Sequence, residues 1–348
     1  MNFLLQQLPT LPPFQSLDQA VKSGAVPAAV TGVSGIHKAV LSAGLLCHNE
    51  ATHPYLLLLC GEEAEAQRLE EDLTALGIPS LFYPARDFNF RDMDGVSREY
   101  EHQRLRTLSR LLSGDCRCVI ACIDGALQYT LPPEELAQRT RKLTTGDEVS
   151  MNTVMETLLR CGYERAEQID GTGQFSFRGG ILDFFPPDSK TPVRLEFWGD
   201  TIDTISDFDL ITQRRIEPRE TVWLSPATEV LIDHPTELAE KIRHHSTTLR
   251  GKQAPKAKEH LSACAEKLEQ NLRLSCADTF LTMIYEKPAT LLDYFPKGQS
   301  LVILSDEQKQ RERLRNNQWQ WSEDCKALLE EGILCRGLTE FSKDWTYA

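Results

Sequence analysis

A glycine-rich segment near the start of the chain has the spacing of a phosphate-binding loop. Five residues separate Gly32 from Lys38, as in the pattern G-x-x-x-x-G-K-[ST]. His37 occupies the place of the second Gly, where backbone N–H groups must approach a phosphate, and Ala39 replaces the hydroxyl that binds Mg²⁺. We therefore expect a degenerate loop, comprising Gly32, Gly35, His37, Lys38 and Ala39, that binds no nucleotide. Residual binding through Lys38 is the alternative.

An acidic pair stands where the second half of such a site belongs. Asp306 and Glu307 follow the apolar run Leu301–Leu304, with Ser305 between them. In an intact site such carboxylates help to position Mg²⁺. Because the loop lacks the Mg²⁺-binding hydroxyl, Asp306 and Glu307 have no evident metal to position. We expect this segment to contain no catalytic residue, no cofactor and no metal.

A second candidate site lies on strands with alternating polar and apolar residues. In the run VRLEFW, alternation places Val193, Leu195 and Phe197 on a core face. The opposite face then carries Arg194, Glu196 and Trp198. In the run QFSFR, alternation buries the two phenylalanines, Phe175 and Phe177, and turns outward Gln174, Ser176 and Arg178.

Trp and Arg are enriched at protein-binding hot spots, which favours a partner-binding patch formed by Arg178, Arg194 and Trp198. The structural alternative is that Trp198 caps the sheet and Arg194 packs over it as a cation–π pair. Neither side chain is expected to fill core volume. Replacing Arg194 by Glu, or Trp198 by Ala, should therefore change thermal stability little.

The first part of the chain alternates strands and helices, which predicts a parallel sheet flanked by helices. Strands are expected at 25–33, 54–60, 79–84 and 117–123. Helices are expected at 35–46, 62–76 and 96–112.

From about residue 140 the pattern changes. A helix at 149–161 is followed by short strands rich in Phe and Gly, typical of a small antiparallel α+β unit. Helical patterning returns from 236 to about 283. We expect a first part at 1–139, an inserted α+β domain at 140–225 and a second part at 226–348 that completes the first.

Composition limits the classes of function. The 348 residues carry 38 Lys and Arg against 51 Asp and Glu, a net charge of −13. We expect DNA binding at about 10⁻⁴ M or weaker, because phosphate contacts dominate such affinities. Residues 241–258 hold six Lys or Arg and no acid, which favours a solvated segment. A phosphate-binding patch that contacts DNA is the alternative.

No apolar run is long enough to cross a membrane and no signal peptide is evident, so we expect a cytoplasmic protein. The ten cysteines contain no C-x-x-C pair. Cys116, Cys118 and Cys122 lie in a strand-like run and are expected in a core rather than at a metal. His244 and His245 are adjacent and would not share a metal easily.

Four segments in order carry a family resemblance: TGVSGIHKA, FRGGILDFFPP, PVRLEFWGDTIDTISDFD and DYFPKGQSLVILSDE. Together they resemble the N-terminal UvrB-like module of the bacterial transcription-repair coupling factor (Mfd), over nearly the whole chain. The resemblance implies a degenerate RecA/UvrB-type helicase-like domain, split by a small inserted domain that binds UvrA. Arg178, Arg194 and the aromatic residue at 198 fall on the family's UvrA-contacting positions, where Phe is usual instead of Trp198. Glu196 and Gln174 lie nearby.

The resemblance also implies that the whole factor is an ATP- and Mg-dependent translocase. It would act on RNA polymerase and double-stranded DNA with a motor C-terminal to this chain. A UvrB-type ATP-dependent damage-verification protein is the alternative. It is disfavoured because the segment from Tyr83 to about Val96 is too short for a DNA-probing hairpin and lacks its stacking tyrosines.

Overall fold

A four-stranded parallel sheet forms the centre of the computed structural model, which describes residues 3–93 and 95–344. Its strand order is β12-β1-β3-β2. The strands are β1 (Tyr55–Cys60), β2 (Ser80–Tyr83), β3 (Cys118–Cys122) and β12 (Ser300–Leu304). Side chains 56–59 of β1 are at most 1% exposed, because helices cover both faces of the sheet.

Two apolar clusters sandwich this sheet. Leu56 and Leu58 pack toward α3 and α4, whereas Leu57 and Leu59 pack toward α5 and α6. The helices of this part are α1 (Phe3–Gln7), α2 (Pro12–Ser23), α3 (Ile36–His48), α4 (Glu63–Ala75), α5 (Glu99–Ser113), α6 (Ile123–Leu127) and α7 (Pro133–Arg139). The predicted α/β class with a parallel sheet is confirmed.

The strand predicted at 25–33 is wrong. This segment pairs with no described strand, and its apolar side chains Val26 and Val30 are 58% and 48% exposed. Pro27 lacks the N–H that a ladder requires, and the neighbouring alanines offer little surface to bury. The other strands and helices predicted for this part form within a few residues of their expected limits.

The middle of the chain forms a separate, mainly antiparallel unit with α8 (Met151–Arg160) packed on one face. Its main sheet has the order β10-β9-β8-β7-β6-β5. The strands are β5 (Glu164–Arg165), β6 (Gln174–Arg178), β7 (Ile181–Phe184), β8 (Val193–Trp198), β9 (Thr201–Phe208) and β10 (Arg215–Arg219). Strand β4 (Arg141–Thr144) pairs with β11 (Thr221–Leu224), so the chain enters and leaves the unit side by side. This pairing supports 140–225 as the proposed inserted domain.

The last part returns to the first sheet through β12 and adds a helical hairpin. The helices are α9 (Pro235–Thr248), α10 (Ala254–Glu269), α11 (Leu281–Ile284) and α12 (Glu307–Glu331). Helices α9 and α10 enclose an apolar cluster of their own, around Ile242, Leu261 and Ala265. After α12, Ser342 forms an isolated antiparallel bridge with Gln128.

Candidate functional site

The register of the middle sheet places the predicted binding residues on one face. Arg178 pairs with Ile181, which in turn pairs with Glu196. Arg194 and Trp198 lie two residues on either side of Glu196 in the same strand, so their side chains leave the sheet on the same side. We call Arg178, Arg194 and Trp198 the open-face patch. Helix α8 packs against the opposite face.

Arg194 is held by the protein's own groups. Its Nε and Nη2 atoms each donate to the Asp183 carboxylate at 2.7 Å, and its Nη1 donates to the Gln213 carbonyl at 3.3 Å. The hydrogen bonds from Arg194 to Asp183 raise the pKa of the Arg194 guanidinium above its ordinary value. The guanidinium lies 4.7 Å from the centroid of the Phe208 ring. The alternative in which Arg194 stacks on Trp198 is therefore wrong.

The Arg194 side chain is 18% exposed, so it is less open than the sequence predicts. A bidentate arginine–carboxylate pair fixes the direction of the guanidinium plane. The remaining N–H groups of Arg194 can reach a partner only from the open side of that plane.

Trp198 is 84% exposed at the end of β8, where Gly199 turns the chain with φ +62°. Phe177 lies two strands away, in β6, and is also exposed, with the Arg165 guanidinium 4.4 Å from its ring centroid. The prediction that Phe177 is buried is wrong. Phe177 lies near the end of β6, and the neighbouring strand β5 ends at Arg165. The Arg165 guanidinium therefore covers the ring, which core side chains do not reach.

The two accessory residues have structural partners. Glu196 is ion-paired with Arg215 of β10. The Gln174 side-chain oxygen accepts from the backbone N–H groups of Asp170 and Gly171, at 2.9 and 3.2 Å. Gln174 therefore shapes the loop before β6.

The degenerate loop lies on the other unit. Gly32 and Gly35 have positive φ in an exposed stretch, and His37, Lys38 and Ala39 lie in the first turn of α3. Lys38 Nζ is 2.5 Å from Glu65 Oε1 and 2.7 Å from Ser305 Oγ. An acidic side chain thus occupies the place next to the lysine where a phosphate would need positive charge.

The acidic pair has capping and surface roles. Asp306 is the N-cap of α12, with φ +57°, and its carboxylate accepts from the Lys309 N–H at 3.3 Å. Glu307 pairs with Arg311 one turn later. Both contacts stabilise the first turn of a 25-residue helix.

Comparison with known proteins places these two units in a family. The model of the UvrB interaction domain matches residues 142–230. The transcription-repair-coupling factor of Bacillus subtilis strain 168 is 32% identical over 330 residues, covering 92% of this chain and 28% of the relative. That of Staphylococcus aureus strain MRSA252 is 27% identical over 300 residues, covering 83% of this chain and 25% of the relative.

The chain belongs with the N-terminal, UvrB-like module of the transcription-repair-coupling factors. It spans between a quarter and a third of the length of these relatives. Across the residues that the structure describes, no helix combines the length and the apolar character needed to span a bilayer.

A buried ionic network that sequence reasoning missed joins the first and last parts of the module. Arg104 of α5 is fully buried and donates from Nε to Glu229 Oε1 at 2.6 Å. Its guanidinium lies 4.4 Å from the centroid of the Tyr83 ring. Arg86 approaches the other oxygen of Glu229 at 3.4 Å and binds Asp278 with both Nη atoms at 3.0 and 2.9 Å.

Glu101 completes this network from α5. Its carboxylate accepts from the Glu229 backbone N–H at 2.7 Å, and Arg98 donates to its other oxygen at 2.8 Å. Arg98 and Arg86 hold the pKa of Glu101 well below its usual range against the opposing effect of burial. The residues belong to segments far apart in sequence, so no local motif could have revealed the network.

The basic segment 241–258 forms the end of α9 and the start of α10. Arg243 is ion-paired with Glu269 at 2.8 Å, and Arg250 donates to the carbonyls of Thr247 and Leu249. Cys116, Cys118 and Cys122 are buried, in agreement with their predicted core position. Elsewhere, His260, Cys264 and Cys276 lie together, a cluster that their sequence spacing did not indicate.

Proposed function

We propose that this module recruits UvrA, acting as an adaptor rather than an enzyme. The open-face patch is the contact surface in this proposal, and the module itself uses no cofactor. The whole factor would use ATP and Mg²⁺ in parts beyond this chain to act on stalled RNA polymerase and double-stranded DNA in the bacterial cytoplasm.

One observation carries the proposal: the exposed indole of Trp198 lies on the same open face as two arginines. Single exposed apolar side chains are common, but an indole flanked by arginines has the composition of an interface centre. Arg194 is already oriented by Asp183, so binding would cost little side-chain entropy at that position. The match of this unit to the UvrB interaction domain adds independent support.

The chemistry of the patch defines its partner surface. Arginine guanidinium groups present forked donors that suit carboxylates in bidentate geometry. The complementary surface of UvrA should therefore offer Asp or Glu side chains around an apolar pocket for the indole. The engagement of Lys38 by Glu65 disfavours the alternative of an ATP-dependent damage-verification protein.

The test is the affinity of the purified module for UvrA, measured by calorimetry or biolayer interferometry. Arg178→Glu should weaken binding by about 2–5 kcal/mol, or roughly 30-fold to several-thousand-fold, because it sets like charges against each other. Trp198→Ala should cost about 2 kcal/mol or more if the indole is the anchor. Both side chains are exposed, so melting temperatures should stay close to that of the wild type.

Arg160→Glu is the matched control. Arg160 is an exposed arginine at the end of α8, the helix that covers the other face of the sheet. It undergoes the same charge reversal without touching the open-face patch. Unchanged UvrA affinity in both patch variants, or an equal loss in the control, would place the interface elsewhere.

A further inference from the structure

Three potential zinc ligands, one imidazole and two thiols, converge around the end of helix α10. His260 and Cys264 lie one turn apart on that helix, and Cys276 follows the turn that ends it. Cys264 Sγ is 3.7 Å from His260 Nε2 and 3.8 Å from Cys276 Sγ. All three ligand atoms lie within 4.8 Å of one another.

These separations match the edges of a zinc coordination tetrahedron. Zn–S bonds of about 2.3 Å and Zn–N bonds of about 2.0–2.1 Å place two sulfurs about 3.8 Å apart and a sulfur and nitrogen about 3.6 Å apart. A disulfide would need the two sulfurs about 2.05 Å apart. We propose that His260, Cys264 and Cys276 bind one zinc ion.

The surroundings suit a zinc ion. Cys264 and Cys276 are 3% and 0% exposed within an apolar cluster, whereas the half-buried His260 lies nearer to solvent. Thiolate and imidazole ligands favour Zn²⁺ over Mg²⁺ or Ca²⁺. A water molecule can take the fourth position.

Bound zinc would tie the helical hairpin to the rest of the module. Cys276 lies two residues before Asp278, the carboxylate that holds Arg86 in the buried network. Metal binding would therefore fix the turn between α10 and that network. The proposal does not depend on UvrA recruitment, and either can fail without the other.

The experiment measures zinc in the purified module, prepared with a phosphine reductant and without chelators. We expect one equivalent of zinc by elemental analysis. Cobalt substitution should give thiolate charge-transfer bands and the intense visible bands of tetrahedral Co²⁺. In competition with a chromophoric chelator, Cys276→Ala and His260→Ala should each weaken zinc binding by more than about 100-fold, beyond the usual effect of an outer-shell change.

His260→Ala is the decisive variant, because this side chain is half-buried and its loss should spare the fold. Cys335→Ala is the matched control. Cys335 is buried in the same cluster with its Sγ 3.5 Å from His245 Nε2, but that pair has no third ligand among the described residues.

Circular dichroism should show the wild-type fold in His260→Ala and Cys335→Ala. Three results would overturn the proposal: a wild-type module that binds no zinc, a His260→Ala variant that keeps its affinity, or a Cys335→Ala variant that loses as much. A mass two hydrogens lower in the metal-free reduced module would also overturn it, because it would reveal a disulfide.

Discussion

Arg194 is fixed within its own sheet before any partner arrives, which changes what its substitution would do. Asp183 is 8% exposed, and each of its carboxylate oxygens accepts a hydrogen bond from Arg194. Removing the arginine leaves a nearly buried carboxylate unpaired. Arg194→Glu is worse still, since it places a second carboxylate beside the first. The expectation that this substitution spares stability does not hold in this geometry.

We predict that Arg194→Ala lowers the free energy of unfolding by about 2–3 kcal/mol, somewhat less than a fully buried pair would, because the guanidinium keeps partial access to water. Urea unfolding followed by circular dichroism measures this change. Arg178→Ala, at an exposed position on the same face, should stay within about 0.5 kcal/mol of the wild type. Equal midpoints for Arg194→Ala and the wild type would mean that the pair contributes nothing.

His102 gives the module a pH-dependent stability. The ring packs beneath Gly173, and its pKa is lowered to about 4, mainly because burial disfavours the charged form and also because Arg98 repels it. The unfolded chain titrates near 6.5, so acidification protonates the unfolded state first. Stability is therefore full above about pH 6.5 and falls as the pH drops toward 4, by roughly 3 kcal/mol in total.

The check compares thermal unfolding at about pH 7.5 and pH 5, a range in which about 2 kcal/mol of this effect should be lost. His102→Gln removes the titrating ring and should flatten the dependence in that range. If the variant shows the same pH slope as the wild type, another group is responsible.

At the scale of elements, the sequence is most informative where periodicity and burial agree. The continuous apolar runs of β1 and β3 and the amphipathic pattern of α5 are long enough to fix both element type and position. Segment 25–33 has the apolar content of a strand but pairs with no strand among the described residues. Phe177 obeys the strand alternation, yet the sheet beside it is too short to bury it. Both wrong predictions concern contacts with neighbouring strands, and a local sequence pattern does not specify those contacts.

The missing strand bears directly on nucleotide binding. A phosphate-binding loop is held between a strand and a helix, whereas here only α3 follows the loop and Lys38 is paired with Glu65. We predict no saturable heat when Mg-ATP is titrated into the module at millimolar concentration. Glu65→Gln removes the negative charge that is paired with Lys38 but supplies neither a strand nor a hydroxyl, so it should not restore binding. Saturable heat that Lys38→Ala abolishes would contradict this prediction.

At the scale of the whole molecule, the parts of the chain are held together by contacts between residues that lie far apart in sequence. Arg104 and Glu229 meet across 125 positions, with the entire middle unit between them. The open-face patch could be named from strand alternation and family resemblance, because its residues lie on adjacent strands. The buried network could not be predicted in this way, because the residues next to an arginine in an amphipathic helix do not indicate that it is fully buried.

Glu229 is the centre of this network, so its loss should affect the whole module. Glu229→Gln keeps the shape but removes the charge that compensates Arg104, which is 0% exposed, and part of that compensating Arg86. We predict a loss of about 3–5 kcal/mol in the free energy of unfolding, as for other broken buried pairs. Urea denaturation measures it, with the exposed Glu240→Gln as the matched control.

The same variant separates stability from recruitment. Glu229 lies outside the middle sheet, so Glu229→Gln should keep wild-type UvrA affinity at temperatures where it remains folded, whereas Arg178→Glu should lose affinity without loss of stability. A Glu229→Gln module as stable as the wild type would show that the two arginines find other compensation. A folded Glu229→Gln module with weakened UvrA binding would instead show that the network orients the open-face patch.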